Sequence, residues 1–320
     1  MSKHIAWRSP AGERNARALR EQYGDGFLAL GEYDRIGHLL LYRAGKKSPA
    51  TRYEEIVGVA VLRRAIMLFT GVRTLLEASL PDVAKAPARA YFETWLNYRC
   101  LAYGSERHIS LEFPTASNAR EPRARRYYVA AERRALRARA VALSTTSKYP
   151  PPTLADRNAL EDELTSEIGR LKERYPEEWR YFGDVTEASV RAHVGGRQER
   201  PWFEAEFPDG KVKSVAALAN AFDYGWEYDV LYDAFSALVH SRGIGHDVTL
   251  GTDEMTVHLP HDPAWFELIA FVVTGWHLML LMTAAKWQAP EMIVQLQQLH
   301  TRHRAALETL TPRSFPNLLG

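Results

Sequence analysis

The chain has 320 residues, 46% of them hydrophobic, with 41 basic against 39 acidic side chains and one cysteine. So even a charge balance excludes a global field for nucleic acid, and any polyanion site must be local. Cys100 on its own excludes an intrachain disulfide and a cysteine-based zinc site, and residues 1–22 hold no apolar run of signal-peptide length, so a cytoplasmic location is expected.

Taken in chain order, the hydrophobic periodicity predicts helices almost throughout. Arg14–Tyr23 and Ala29–Tyr42 are short amphipathic candidates, and 53–80 is a long one that Pro81 should stop. Pro87 suits the first turn of the next helix, which runs to about Tyr103 and closes at Gly104. Residues 105–122 read as irregular. An Arg-dense helix over 123–143, a Pro-rich break at 144–152 and a polar helix over 154–174 follow. Residues 195–212 read as a charged loop or short hairpin around Pro208, Asp209 and Gly210, leading into Ser214–Phe222. The alternation of VTLGTDEMTVHL, 248–259, predicts a small β-hairpin turned at Gly251–Glu254. Helices near 263–287 and 290–310 finish the chain. Within the first, 268–285 is about the minimum length for a membrane span, but His277 sits in its middle, so a core or dimer-interface helix is expected and no membrane.

The expected fold is therefore all-α: a helical bundle of residues 50–105 and 211–290, preceded by N-terminal helices in 1–49. A polar, basic subdomain is inserted at 106–210, and a C-terminal helix and tail occupy 291–320.

Two polar stripes interrupt this apolar pattern. In YDVLYDAFSALVH, 228–240, Tyr228, Tyr232, Ser236 and His240 recur every fourth residue, a drift of only ~40° per step, so all four share one ribbon of a helix. The opposite side is apolar. In PARAYFETWLNYRC, Arg89, Glu93 and Asn97 follow the same spacing on a strongly aromatic helix. An Arg–Glu step of four is ordinarily an exposed helix pair worth a few tenths of a kcal/mol. On a buried helix it needs partners from another element, and the Tyr232, Ser236 and His240 stripe is the best candidate. His240 read blandly is a core histidine bonded to a neighbouring helix.

RxxxE (Arg89, Glu93), followed beyond a variable insertion by YxxxYxxxSxxxH with the local form SALVHS at 236–241, resembles a bacterial helical family of unknown function. That family is similar to the HEPN superfamily, named for higher eukaryotes and prokaryotes nucleotide-binding. The resemblance covers the core segments, about half the chain. It implies a HEPN-like bundle, often a homodimer, and frequently a metal-independent ribonuclease of toxin–antitoxin or antiviral defence systems. One departure is specific: such ribonucleases carry an Rx4–6H spacing, and the slots before His240 are Phe235, Ala234 and Asp233. The arginine must then arrive from elsewhere, Arg89 first and Arg242 second.

Metal-free RNA cleavage needs a base for the 2′-OH proton, an acid for the leaving 5′-oxygen and a cation for the charge on phosphorus. His240 fits the acid/base role, Arg89 the phosphate clamp and Glu93 its orientation, with Ser236 or Tyr232 donating a hydrogen bond. Arg123, Arg126, Arg133, Arg134 and Arg137, interleaved with Tyr127, together with Arg242, are the candidate RNA-binding set. The plain alternative is a solvated helix face offset by acids in 154–178. His240, His246, His258 and His261 cluster in sequence with Asp247, but their spacing fits no zinc signature, so no metal and no cofactor are expected. Three readings stand: a ribonuclease with RNA as substrate and an antitoxin or defence protein as partner; a non-catalytic module binding a nucleotide or a partner; and an unrelated hydrolase or metal enzyme.

Overall fold

The computed structural model describes residues 10–47, 52–106, 119–144, 154–183, 200–229, 248–250, 255–257 and 263–310. The helices are α1 (Pro10–Lys47), α2 (Tyr53–Glu77), α3 (Pro81–Tyr103), α4 (Arg120–Ser144), α5 (Leu154–Arg174), α6 (Pro176–Tyr181), α7 (Val215–Ala221), the single turn α8 (Gly225–Glu227), α9 (Pro263–Gln288) and α10 (Ile293–Glu308). Strands β1 (Val248–Leu250) and β2 (Met255–Val257) pair antiparallel with Val248 opposite Val257. The expected turn at 251–254 lies outside the described residues.

Two boundaries differ from the sequence expectation. The two short N-terminal helices are one, α1, kinked at Tyr23 (φ −122°, ψ 24°). Tyr23 is buried there and its hydroxyl donates to Glu267 Oε1 at 2.5 Å, so a tertiary contact holds the two halves across the expected break. Pro81 does not merely stop α2. It begins α3, where its missing N–H would be unsatisfied anyway, and Pro87 lies inside that helix rather than at its start. Pro87 has no N–H for the carbonyl of Val83 one turn earlier, and Val83 is exposed.

α2 and α3 make the most extensive helix contact, and α9 packs against α1, α2, α3 and α10. By length and composition α9 could cross a bilayer, but 72% of its apolar window is buried inside this chain. Its hydrophobic surplus is consumed by the core: Leu268, Ile269, Leu280, Leu281, Ala284 and Ala285 are all essentially inaccessible. Most of the apolar surface of α9 is therefore buried in the core of this chain.

His277, in the middle of α9, is fully buried. Its ring stacks on Phe69 at 3.7 Å, Tyr91 Oη lies 2.9 Å from Nδ1, and Nε2 faces α1 at Gly37. Burial lowers its pKa from 6.5 to about 3. The folded state therefore refuses a proton that the unfolded chain accepts. The stability is present above pH 6.5 and is lost as pH falls towards 3. At about 1.4 kcal/mol per pH unit, the protein is expected to lose about 2 kcal/mol from this residue between pH 6.5 and 5. Urea melts of His277→Phe should lack that part of the slope.

Glycine decides one helix approach. A Cβ at Gly58 of α2 would stand 2.5 Å from the Gln288 amide nitrogen and 2.8 Å from the Trp287 ring. Alanine normally stabilises a helix interior by ~1 kcal/mol over glycine. Gly58→Ala is expected to reverse that sign and cost about 1–3 kcal/mol in a urea melt, because two packed side chains must shift.

Candidate functional site

From Tyr91 to Tyr103, α3 is buried at every residue except Glu93 and Asn97. Half-buried Arg89 and Ala90 and exposed Ala86 continue the same line, so the RxxxE stripe is a polar window in an otherwise enclosed helix. The enclosure has identifiable walls. Tyr91 and Tyr98 bond His277 and Gln288 of α9, and Phe92 packs on Trp276 at 4.6 Å.

Within the window, Arg89 Nε donates to Glu93 Oε1 at 3.4 Å, with the two side chains 22% and 36% exposed. The contact is long and the pair partly exposed, so it adds little stability by itself. Asn97 is fixed more firmly. Its Nδ2 donates to the Glu93 carbonyl at 2.6 Å and its Oδ1 accepts from Trp202 Nε1 at 2.8 Å. Trp202, on the short 3-10 turn Trp202–Glu206, is buried and stands edge-on to Tyr127 at 5.3 Å. The Trp202 turn thus closes one end of the stripe, beyond the partly exposed Arg89 and Glu93.

The second stripe begins on a segment that α3 holds by another means. Ser214 caps α7, its hydroxyl accepting from Ala217 N at 3.1 Å, and Asp223 turns the chain at φ +64°. The buried Arg99 guanidinium lies 3.9 Å over the Phe222 ring and 5.5 Å from Tyr224. Burial lowers the Arg99 pKa, while Tyr224 and Asp223 oppose that shift. Tyr224 Oη donates to Met279 Sδ at 3.2 Å, so the segment spans from α3 to α9. Tyr228 N then bonds Tyr224 O at 3.0 Å, and helical geometry runs on to half-buried Tyr228 and exposed Asp229. Tyr232, Ser236, His240 and Arg242 lie outside the described residues, as do His246, His258 and His261. Among the described residues no group of three or more His, Cys, Asp or Glu is placed to hold a metal ion.

On the Arg-dense helix α4 the candidate RNA-binding arginines differ in their surroundings. Arg123 and Arg133 are buried. Arg123 donates from Nη1 to the Cys100 carbonyl at 3.1 Å and pairs through Nε with Glu206 at 3.6 Å; Arg126 takes the other Glu206 oxygen. Arg133 stacks at 4.4 Å on Trp179 and at 5.4 Å on Phe182. Gly104 is required at this junction: its φ is +66°, and a Cβ would meet Arg123 Nη1 at 3.0 Å and Glu206 Oε2 at 3.1 Å. These cations join α4 to its neighbours instead of facing a polyanion. Arg134 is exposed and Arg137 half-buried, while Arg139 pairs with Glu167 of α5 at 2.6 Å, the acidic offset expected from 154–178.

Neither the Asn97–Trp202 lock nor the Arg99 stack was anticipated. A signal existed for the second: an arginine inside the run Trp95–Tyr103, apolar but for Asn97, has no solvated face and must find rings or acceptors.

No curated protein and no solved structure matches this chain. Residues 55–255, a span that contains both polar stripes, match the family model of DUF5677, a family of unknown function, and the protein belongs to that family.

Proposed function

We propose that the α3 window and the stripe 228–240 form one site of a HEPN-like, metal-independent endoribonuclease. The observation that carries this reading is the exposure pattern of α3. On a helix enclosed along its second half, the partly exposed positions before Asn97 include Arg89 and its partner Glu93. A buried framework that leaves a guanidinium within reach of solvent suits a phosphate contact, since Arg can meet phosphate bidentately once it swings from Glu93.

In this mechanism His240 takes the 2′-OH proton. The 2′-oxygen attacks phosphorus, the P–O5′ bond breaks, and a proton returned through His240 neutralises the leaving 5′-oxygen. Arg89 meets the charge building on the phosphoryl oxygens, Glu93 orients Arg89, and Ser236 and Tyr232 donate hydrogen bonds. Arg134, Arg137 and Arg242 remain as candidate backbone contacts. The biological setting proposed is bacterial defence or a toxin–antitoxin pair, in the cytoplasm, as a homodimer restrained by a partner protein.

One observation favours a second reading, a non-catalytic module that binds a nucleotide or a partner. Phe235, Ala234 and Asp233 occupy the slots where HEPN ribonucleases carry arginine. Incubating the pure protein with mixed RNA, with and without EDTA, separates the readings. EDTA-resistant cleavage is expected. Intact RNA together with saturable nucleotide binding would favour the module.

A further inference from the structure

Beyond the α3 window, the outward side of α9 carries a cavity of about 540 Å³, within the size range of sites for small molecules. Trp226 from α8, Phe271, Trp276, Leu278 and Met279 from α9 and Leu307 from α10 wall it with apolar surface. Gly275 keeps it open, since a Cβ built there meets nothing within 4 Å.

The ionisable groups at this cavity are unevenly matched. Arg304 is held by Glu308 at 3.0 Å, both largely exposed at the rim, and His300 Nδ1 lies 3.1 Å from the Tyr33 hydroxyl. Glu227 is half-buried and makes no hydrogen bond or ion pair with another side chain among the described residues. Burial raises its pKa. Two carboxylates and one arginine thus line the cavity, and Glu227, the carboxylate without an ion pair among the described residues, follows Trp226, which is 44% exposed. An indole and a carboxylate lining one cavity are the pairing that recognises organic ammonium groups, by cation–π attraction and by charge.

We infer that this cavity binds a small amphipathic cation, an organic ammonium on an apolar or aromatic body, with Glu227 as counter-charge and Trp226 as the stacking wall. The body fills the space over Gly275 while the ammonium stays at the mouth. The site is separate from the proposed ribonuclease chemistry and does not rest on it. Residues 222–228, pinned to α3 through Arg99 and to α9 through Met279, place Trp226 and Glu227 there.

Calorimetric titration of the full chain with 2-phenylethylamine, protonated at neutral pH, and with neutral 2-phenylethanol tests this. The amine is expected to bind about tenfold tighter or better than the alcohol, the margin of one well-placed charge contact. Glu227→Gln should erase that preference while leaving alcohol binding intact. Gly275→Leu should block both ligands without lowering the melting temperature, because it enters open space on a helix and replaces a poor helix former. Equal affinities, no binding of either compound at millimolar concentration, or unchanged binding by folded Gly275→Leu would overturn the inference.

Discussion

His240→Ala is expected to reduce RNA cleavage by about 10²–10⁴-fold with an unchanged thermal melt, since that is what positioned proton transfer supplies and no neighbour replaces imidazole. Arg89→Ala should lose activity comparably, through phosphate charge that nothing then meets. Its cost in stability should stay within about 1 kcal/mol, because Arg89 and Glu93 are partly exposed. Arg89→Lys separates the roles: lysine keeps the charge but loses the planar fork, so intermediate activity is expected. Removing both Arg89 and His240 should cost far less than the sum of the single losses, as residues acting in one step are non-additive. Full activity in His240→Ala, or activity lost only with the fold, returns the stripe to a structural contact.

The largest stability effect is expected at Glu206. Its carboxylate serves both Arg123, whose side chain is 6% exposed, and Arg126, at 20%. Glu206→Gln leaves the Arg123 cation buried beside the Cys100 carbonyl without a counter-charge, a change that typically costs about 3–5 kcal/mol. Arg123 cannot relieve this by deprotonating at accessible pH, even though burial already lowers its pKa. The double variant Arg123→Met, Glu206→Leu should recover much of the loss, because removing the buried pair avoids its desolvation. Urea denaturation of the three proteins checks this. A loss below about 1 kcal/mol in Glu206→Gln would mean that water reaches the cluster freely.

What could be read from the sequence follows the physics of each segment. The long helices were legible because their signal, apolar periodicity, is local. The kink at Tyr23 was not, since it depends on Glu267 from a helix more than 200 residues away. Pro81 and Pro87 each carry a stop signal and a first-turn signal, and packing along α3 decided between them. At the site, the fourfold spacing of Arg89, Glu93 and Asn97 identified the open edge of α3 because spacing fixes which side chains share a face. Spacing does not tell exposure from burial among charged residues. On α4 the same arginine-rich composition yields buried Arg123 and Arg133 and exposed Arg134, and Trp179, Phe182 and Glu206, distant in sequence, make the difference.

The most direct measurement is of product ends. An end-labelled RNA is incubated with the pure protein in EDTA and the new termini are identified. Attack by the 2′-oxygen, with His240 moving the proton and Arg89 meeting the phosphate, predicts 2′,3′-cyclic phosphate and 5′-hydroxyl ends that disappear in both His240→Ala and Arg89→Ala. Intact RNA under these conditions, or 5′-phosphate ends that form only with a divalent cation, would contradict it.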